Sequence, residues 1–168
     1  KSLDIYKIYD NYKRQGKRVI CFVPEIAGKT ESRLGLETPS LLFNNDTDLT
    51  LMVRKSFPLD CILIEEAQFC SKDHVKQLVY IVDNWNVPVI AYGLKNNFKN
   101  ELFNGSYWLL VYADKIEEIK TVCQYCNNKA TMVLRLKKGK PVYDGDEIVI
   151  KKSNYIPVCR KCWYKPKI

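Results

Sequence analysis

Two Cys-x2-Cys pairs, Cys123-Gln-Tyr-Cys126 and Cys159-Arg-Lys-Cys162, constrain this chain more than any other feature. Each pair can aim two thiolates at one point, and two such pairs supply the four sulfur ligands of a closed tetrahedral zinc site. A catalytic zinc ion keeps one position open to water and often draws on histidine. Here the only histidine, His74, lies far upstream and reads as an exposed residue of an expected helix. The spacing therefore predicts a structural zinc ion held by Cys123, Cys126, Cys159 and Cys162, against the blander alternative of four unrelated buried thiols. The stretch between the two pairs exceeds the usual gap of a zinc ribbon, so the chain must leave the metal and return through a hairpin, a candidate functional loop.

Metal ligation also fits the compartment that the rest of the chain implies. No run of 18 or more apolar residues occurs, and Lys1 to Asp10 lack the features of a secretory signal, so a cytoplasmic location is expected, where thiols stay reduced. Cys21, Cys61 and Cys70 fall in or beside expected strands and read as small buried hydrophobes. With 46% apolar and 27% charged residues, the composition excludes a disordered chain. The net charge of +8, gathered at Lys13 to Arg18, Lys137 to Lys140, Lys151 to Lys152 and Arg160 to Lys167, suits an anionic partner. A basic zinc-ribbon nucleic-acid binder is thus one open reading, with Trp163 and Tyr164 offering stacking surfaces.

Periodicity divides the chain near Lys120. Upstream, a helical pattern over Ser2 to Arg14 stops at Gly16 and leads into an apolar strand, Arg18 to Val23. Two further apolar strands, Cys61 to Ile64 and Val87 to Tyr92, alternate with helical patterns at Asp46 to Lys55 and Ser71 to Trp85, the latter with Val75, Leu78, Val79 and Val82 on one stripe. Alternating helices and continuously apolar strands predict an α/β domain with a parallel sheet over residues 1–119. Residues 120–168 read as a smaller β-rich module, with strands at Thr131 to Leu136 and Glu147 to Ile150 and turns at Lys137 to Gly139 and Asp144 to Gly145.

The strand Cys61 to Ile64 runs into Glu65-Glu66, at the position where open parallel sheets bind ligands and P-loop enzymes hold magnesium. Successive strand positions face opposite sides, so one carboxylate can serve a metal-bound phosphate while the other serves as general base. A solvated polar strand end is the alternative. Lys1-Ser2, directly before a helix, matches the last two residues of a phosphate-binding loop, in which the lysine reaches the phosphates and the hydroxyl holds magnesium. If the pair does end such a loop, the preceding strand and most of the glycine loop are expected outside these residues.

In order along the chain, Glu65-Glu66-Ala67-Gln68-Phe69, Tyr92-Gly93-Leu94-Lys95-Asn96-Asn97-Phe98, Glu101-Leu102-Phe103-Asn104-Gly105-Ser106, Ala113-Asp114-Lys115-Ile116 and both cysteine pairs resemble the type II thymidine kinase family. The resemblance also takes in Ser32-Arg33-Leu34-Gly35 and Ala130 to Leu136, and runs from Lys1 to about Tyr164. It implies a P-loop, RecA-like α/β domain beside a zinc-bearing lasso domain. The implied reaction moves the γ-phosphoryl of ATP, with Mg2+, to the 5′-hydroxyl of thymidine, and by extension deoxyuridine, in nucleoside salvage. A homotetramer inhibited by thymidine triphosphate is implied as well.

Carried onto this sequence, Glu66 matches the family's general base. Glu65 stands where an aspartate usually supports magnesium, and Lys1 and Ser2 match the end of the phosphate loop. Phe69, Leu94, Phe98 and Phe103 would line the thymine pocket, with Val133, Ile148, Val149 and Tyr155 from the hairpin between the cysteine pairs. Lys151-Lys152 replace two glycines usual in that hairpin, and residues 24–29 form a shorter stretch than the family's. An inactive nucleotide-binding homologue is the other reading that this resemblance leaves open.

Overall fold

The β-branched and apolar runs of the first part of the chain pair as a parallel sheet in a computed structural model that describes residues 2–27, 39–146 and 154–167. Its strands are β1 (Val19–Pro24), β2 (Ser40–Phe43), β3 (Cys61–Ile64) and β4 (Val89–Ala91), in the spatial order β2-β1-β3-β4. The central strands β1 and β3 pair Val19 with Cys61 and Phe22 with Ile64. Because side chains alternate across a strand, each central strand feeds two cores. Val19, Cys21, Val23, Cys61 and Leu63 pack on one face around Ile5 of helix α1 (Ser2–Arg14), joined by Ile8, Tyr9 and Tyr12. Phe22, Ile62 and Ile64 pack on the other face with Leu49 and Val53 of α2 (Leu49–Lys55) and Val75, Leu78 and Ile81 of α3 (Lys72–Trp85). Trp108 and Leu109 of α4 (Asn104–Tyr112) complete that second core. Helices on both faces explain why the strands carry no polar side.

Local chemistry sets the helix starts. Asp48 caps α2 by accepting the Leu51 N–H, and Ser71 caps α3 by accepting the His74 N–H. His74 is buried, which corrects the expectation of an exposed helix residue. Its Nδ1 accepts the Ser71 N–H at 3.2 Å, its Nε2 lies 3.1 Å from the Thr47 carbonyl, and its ring meets Phe43 edge-on. The imidazole thus takes the place of the usual Glu or Gln of a capping box and reaches on into the core. On α3 the buried stripe is His74, Val75, Leu78 and Ile81, with Val79 and Val82 only half-buried.

The chain gathers into two compact units. The first runs to Leu94 and adds Asn104–Asp114; the second comprises Lys95–Phe103 and the chain from Lys115 onward. In the second unit β5 (Met132–Lys137) lies between antiparallel partners β6 (Lys140–Val142) and β7 (Asn154–Val158), followed by the short helix α5 (Arg160–Tyr164). Lys138 and Gly139 turn β5 into β6 with positive φ, as the turn expected there requires. The expected strand at 147–150, and with it Ile148 and Val149, lies outside the described residues, as do Lys1, the stretch 32–35 and Lys151-Lys152. Among the described residues, no helix is long and apolar enough to cross a membrane.

Candidate active site and metal centre

Glu65 and Glu66 follow the carboxyl end of β3 and stand in different environments. Glu65 continues the Cys61, Leu63 side of the strand toward α1, where its Oε1 accepts a hydrogen bond from the Ser2 hydroxyl at 2.5 Å. Its backbone N–H donates to the Phe22 carbonyl, extending the β1–β3 ladder, and the residue is buried. Two positions picked from opposite ends of a long sequence separation are thereby neighbours, and both present the hard oxygen donors that magnesium takes.

Glu66 breaks the strand. Its backbone lies in the left-handed region, φ 49° and ψ 41°, and it opens the 3-10 turn Ala67–Phe69. Such a conformation is uncommon for a residue with a Cβ and recurs at functional sites. The Glu66 side chain is only half-buried, and its Oε2 accepts from Gln68 Nε2 at 2.6 Å. The turn itself is tied to the end of β4 through the Ala67 N–H and the Tyr92 carbonyl, 2.8 Å apart. It also rests on α4, where Gly105 allows a very close approach. A Cβ at Gly105 would stand 2.6 Å from the Ala67 and Gln68 carbonyl oxygens and 2.7 Å from that of Cys70. Ser106 adds a hydrogen bond from its hydroxyl to the Leu94 carbonyl at 2.6 Å. The acidic strand end is therefore held on three sides by backbone.

Of the positions expected from sequence to line a base pocket, Phe69 is half-buried and Leu94 exposed in the first unit. Phe98, Phe103, Val133 and Tyr155 belong to the second. There Phe98 lies 6.3 Å from the Tyr155 ring and under the Arg135 guanidinium, while its carbonyl accepts the Trp163 indole N–H. The loop that carries Phe98 closes on itself: Asn97 Oδ1 accepts the N–H groups of Lys99 and Glu101, and Asn96 bridges to Leu102.

The four predicted metal ligands converge. The sulfurs of Cys123, Cys126, Cys159 and Cys162 all lie within 4.8 Å of one another, with Cys126 3.7 Å from Cys159 and 3.8 Å from Cys162. A zinc ion bonded to four sulfurs at about 2.3 Å in a tetrahedron sets them roughly 3.8 Å apart, so the cluster fits a zinc ion with little rearrangement. Backbone shapes both knuckles: the Tyr125 N–H points at Cys123 Sγ, and the Cys162 N–H at Cys159 Sγ, which caps α5. For Cys123 burial acts upward, yet hydrogen bonds from backbone N–H groups prevail and bring the thiol down to about 6. At Cys162 burial and the neighbouring sulfurs act together and push it up to about 12. Four sulfurs this close resist shared ionisation, and a dication relieves that conflict. The other three cysteines lie apart and inert, since burial raises Cys21 and Cys70 to about 12 and Cys61 to about 11.

This arrangement of acid pair and cysteine cluster coincides with a family match over almost the entire chain. The model of the family described as "Thymidine kinase" matches residues 1–163. A thymidine kinase of Streptococcus gordonii is 49% identical over 176 residues, covering 100% of this chain and 92% of the relative. One from Streptococcus pyogenes serotype M3 is 47% identical over 175 residues, with 100% and 93% covered. One from Listeria innocua is 49% identical over 176 residues, with 100% and 92% covered. The chain belongs to the thymidine kinase family.

As in the sequence reading, this thymidine kinase family member combines an α/β unit built on a parallel sheet with a second unit whose cysteine cluster suits zinc. Sequence reading missed Gln68, whose amide joins Glu66 to the chain after β4. The signal was present, a carboxamide two residues beyond the acid pair, but nothing in one sequence shows which buried amide meets which carboxylate. Arg160 and Lys161, which the sequence placed in a basic cluster, line an open concavity of the second unit with Lys129 and Tyr164.

Proposed function

We propose that this protein transfers the γ-phosphoryl of ATP, with magnesium, to the 5′-hydroxyl of thymidine, and takes deoxyuridine as a second acceptor, in cytoplasmic nucleoside salvage. The observation that carries this reading is the pair Glu65-Glu66 at the end of β3, one carboxylate against Ser2 and the other exposed enough to meet a substrate, in a chain 49% identical to a thymidine kinase. The first unit would bind the nucleotide and the second, with its zinc ion, would serve as the lasso domain.

In this reading Ser2 and Glu65, with Lys1, bind the ATP-magnesium complex. Magnesium, when bound, neutralises charge on the phosphate oxygens. Glu66 accepts the proton of the 5′-hydroxyl as the γ-phosphoryl arrives in line, and what the protein supplies is chiefly position. Phe69, Leu94, Phe98, Phe103, Val133, Ile148, Val149 and Tyr155 are assigned to thymine recognition, a role their apolar and aromatic character supports. A homotetramer inhibited by thymidine triphosphate completes the proposal.

The test is magnesium-dependent transfer of labelled γ-phosphate from ATP to thymidine. Glu66→Gln is expected to lower turnover about 10²- to 10⁴-fold with zinc content and thermal midpoint unchanged. Undiminished turnover in that variant would remove Glu66 from the chemistry, and no transfer by the unmodified protein would leave a nucleotide-binding homologue without activity.

A further inference from the structure

Gln68 is buried, and its amide is held at both ends. Nε2 donates to Glu66 Oε2 at 2.6 Å, and Oε1 accepts the Leu94 N–H at 3.0 Å. Turning the amide over would set its NH2 group against the Leu94 N–H and its oxygen against a carboxylate, losing both bonds, so only one orientation is satisfied. The approach to Leu94 depends on the residue before it. A Cβ at Gly93 would lie 3.0 Å from both the Gln68 backbone N and Oε1, a contact tight enough to displace the amide. The Ala67 N–H bond to the Tyr92 carbonyl holds the same turn from the backbone.

Glu66 therefore does not choose its own rotamer. A charged side chain on a half-buried, left-handed residue is steered by an amide that is itself locked to the backbone beyond β4. A base must meet its proton at hydrogen-bonding distance, and small misplacements of a reacting group are costly. We propose that Gln68 is a positioning residue for phosphoryl transfer, which fixes the Glu66 carboxylate for the acceptor hydroxyl by donating to Oε2. This rests on the reading of Glu66 as general base.

Gln68→Glu is the sharpest test. It keeps the shape and an oxygen for the Leu94 N–H, and replaces the amide donor to Glu66 with a second carboxyl group, which repels the Glu66 carboxylate when ionised. Gln68→Leu removes both bonds. Each variant is expected to lower kcat about 10²-fold while the KM for thymidine changes little. In a Glu66→Ala background, where no carboxylate remains to be positioned, Gln68→Glu is expected to cause no further fall, measured by transfer of labelled phosphate. Wild-type kcat in Gln68→Leu would overturn the proposal. So would an equal fall in the Glu66→Ala background, since Gln68 would then act independently of Glu66. If Glu66→Ala alone keeps full turnover, the base assignment itself fails, and that result is distinguishable from failure of the positioning role.

Discussion

Glu66 pays for its place with backbone strain. A Cβ in the left-handed region costs about 1–2 kcal/mol relative to the right-handed one, and glycine escapes that cost. With φ at 49° the residue keeps an unfavourable conformation that glycine would relieve, at the loss of the carboxylate. Glu66→Gly is expected to be more stable than Glu66→Ala by about 1 kcal/mol, with both variants lacking normal turnover. Denaturant unfolding of the two variants side by side measures the difference, and equal stability would mean that the turn relaxes when the side chain is lost. Gly105 is the opposite case, a position where backbone carbonyls leave no room for any side chain.

At the scale of elements, α3 joins capping, core and pH dependence in one side chain. The Ser71 N–H bond requires an unprotonated Nδ1 on His74, which leaves Nε2–H to donate to the Thr47 carbonyl. Burial pushes the imidazole below its ordinary value of 6.5, with the Thr47 carbonyl and Asp73 opposing in part. A folded-state value below the unfolded one means the unfolded chain binds more protons between the two. The His74 contribution is therefore intact above about 6.5 and is lost as pH falls through the depressed folded value. Thermal midpoints are expected to fall between pH 7 and pH 5, and His74→Gln to flatten that dependence over the same interval. An unchanged slope in the variant would assign the acid sensitivity elsewhere.

For the whole molecule, the two units differ in what holds them. The first has two cores on either side of a sheet, whereas the second gathers Leu134 and Val158 around three buried cysteines. A small core of this kind is expected to depend on a zinc ion held by its cysteines, because binding free energy is folding free energy when the site does not exist in the unfolded chain. Chelation, or Cys126→Ser, is expected to release one zinc ion per chain and unfold the second unit. The three tryptophans report each unit: Trp163 packs in the cysteine core against Tyr143, while Trp85 and Trp108 pack in the first unit. Indole N–H resonances should therefore show Trp163 losing its native shift while Trp85 and Trp108 keep theirs. Native Trp163 without zinc would make the cluster dispensable.

What the sequence by itself determined is what periodicity and spacing encode. The α1 stripe of Ile5, Ile8, Tyr9 and Tyr12, the apolar run Cys61–Ile64 and the paired cysteines were legible because each is a local pattern with one stable use. The acid pair was visible at a strand end, though its two environments follow from the left-handed backbone at Glu66, where the strand gives way to a turn. Only the tertiary structure decided the rest. Helix α4 reads as featureless because it is apolar around much of its surface, and it forms where Gly105 can press onto the turn after β3. Strand β2 leaves Leu41 and Leu42 exposed, so its place beside β1 rests on backbone pairing with no burial pattern to announce it. His74 and Gln68 were misjudged or missed for the same reason. A polar side chain in a core is tolerated only with its partners, and those partners, Thr47 for one and Leu94 for the other, lie a long way along the chain and meet it only in the fold.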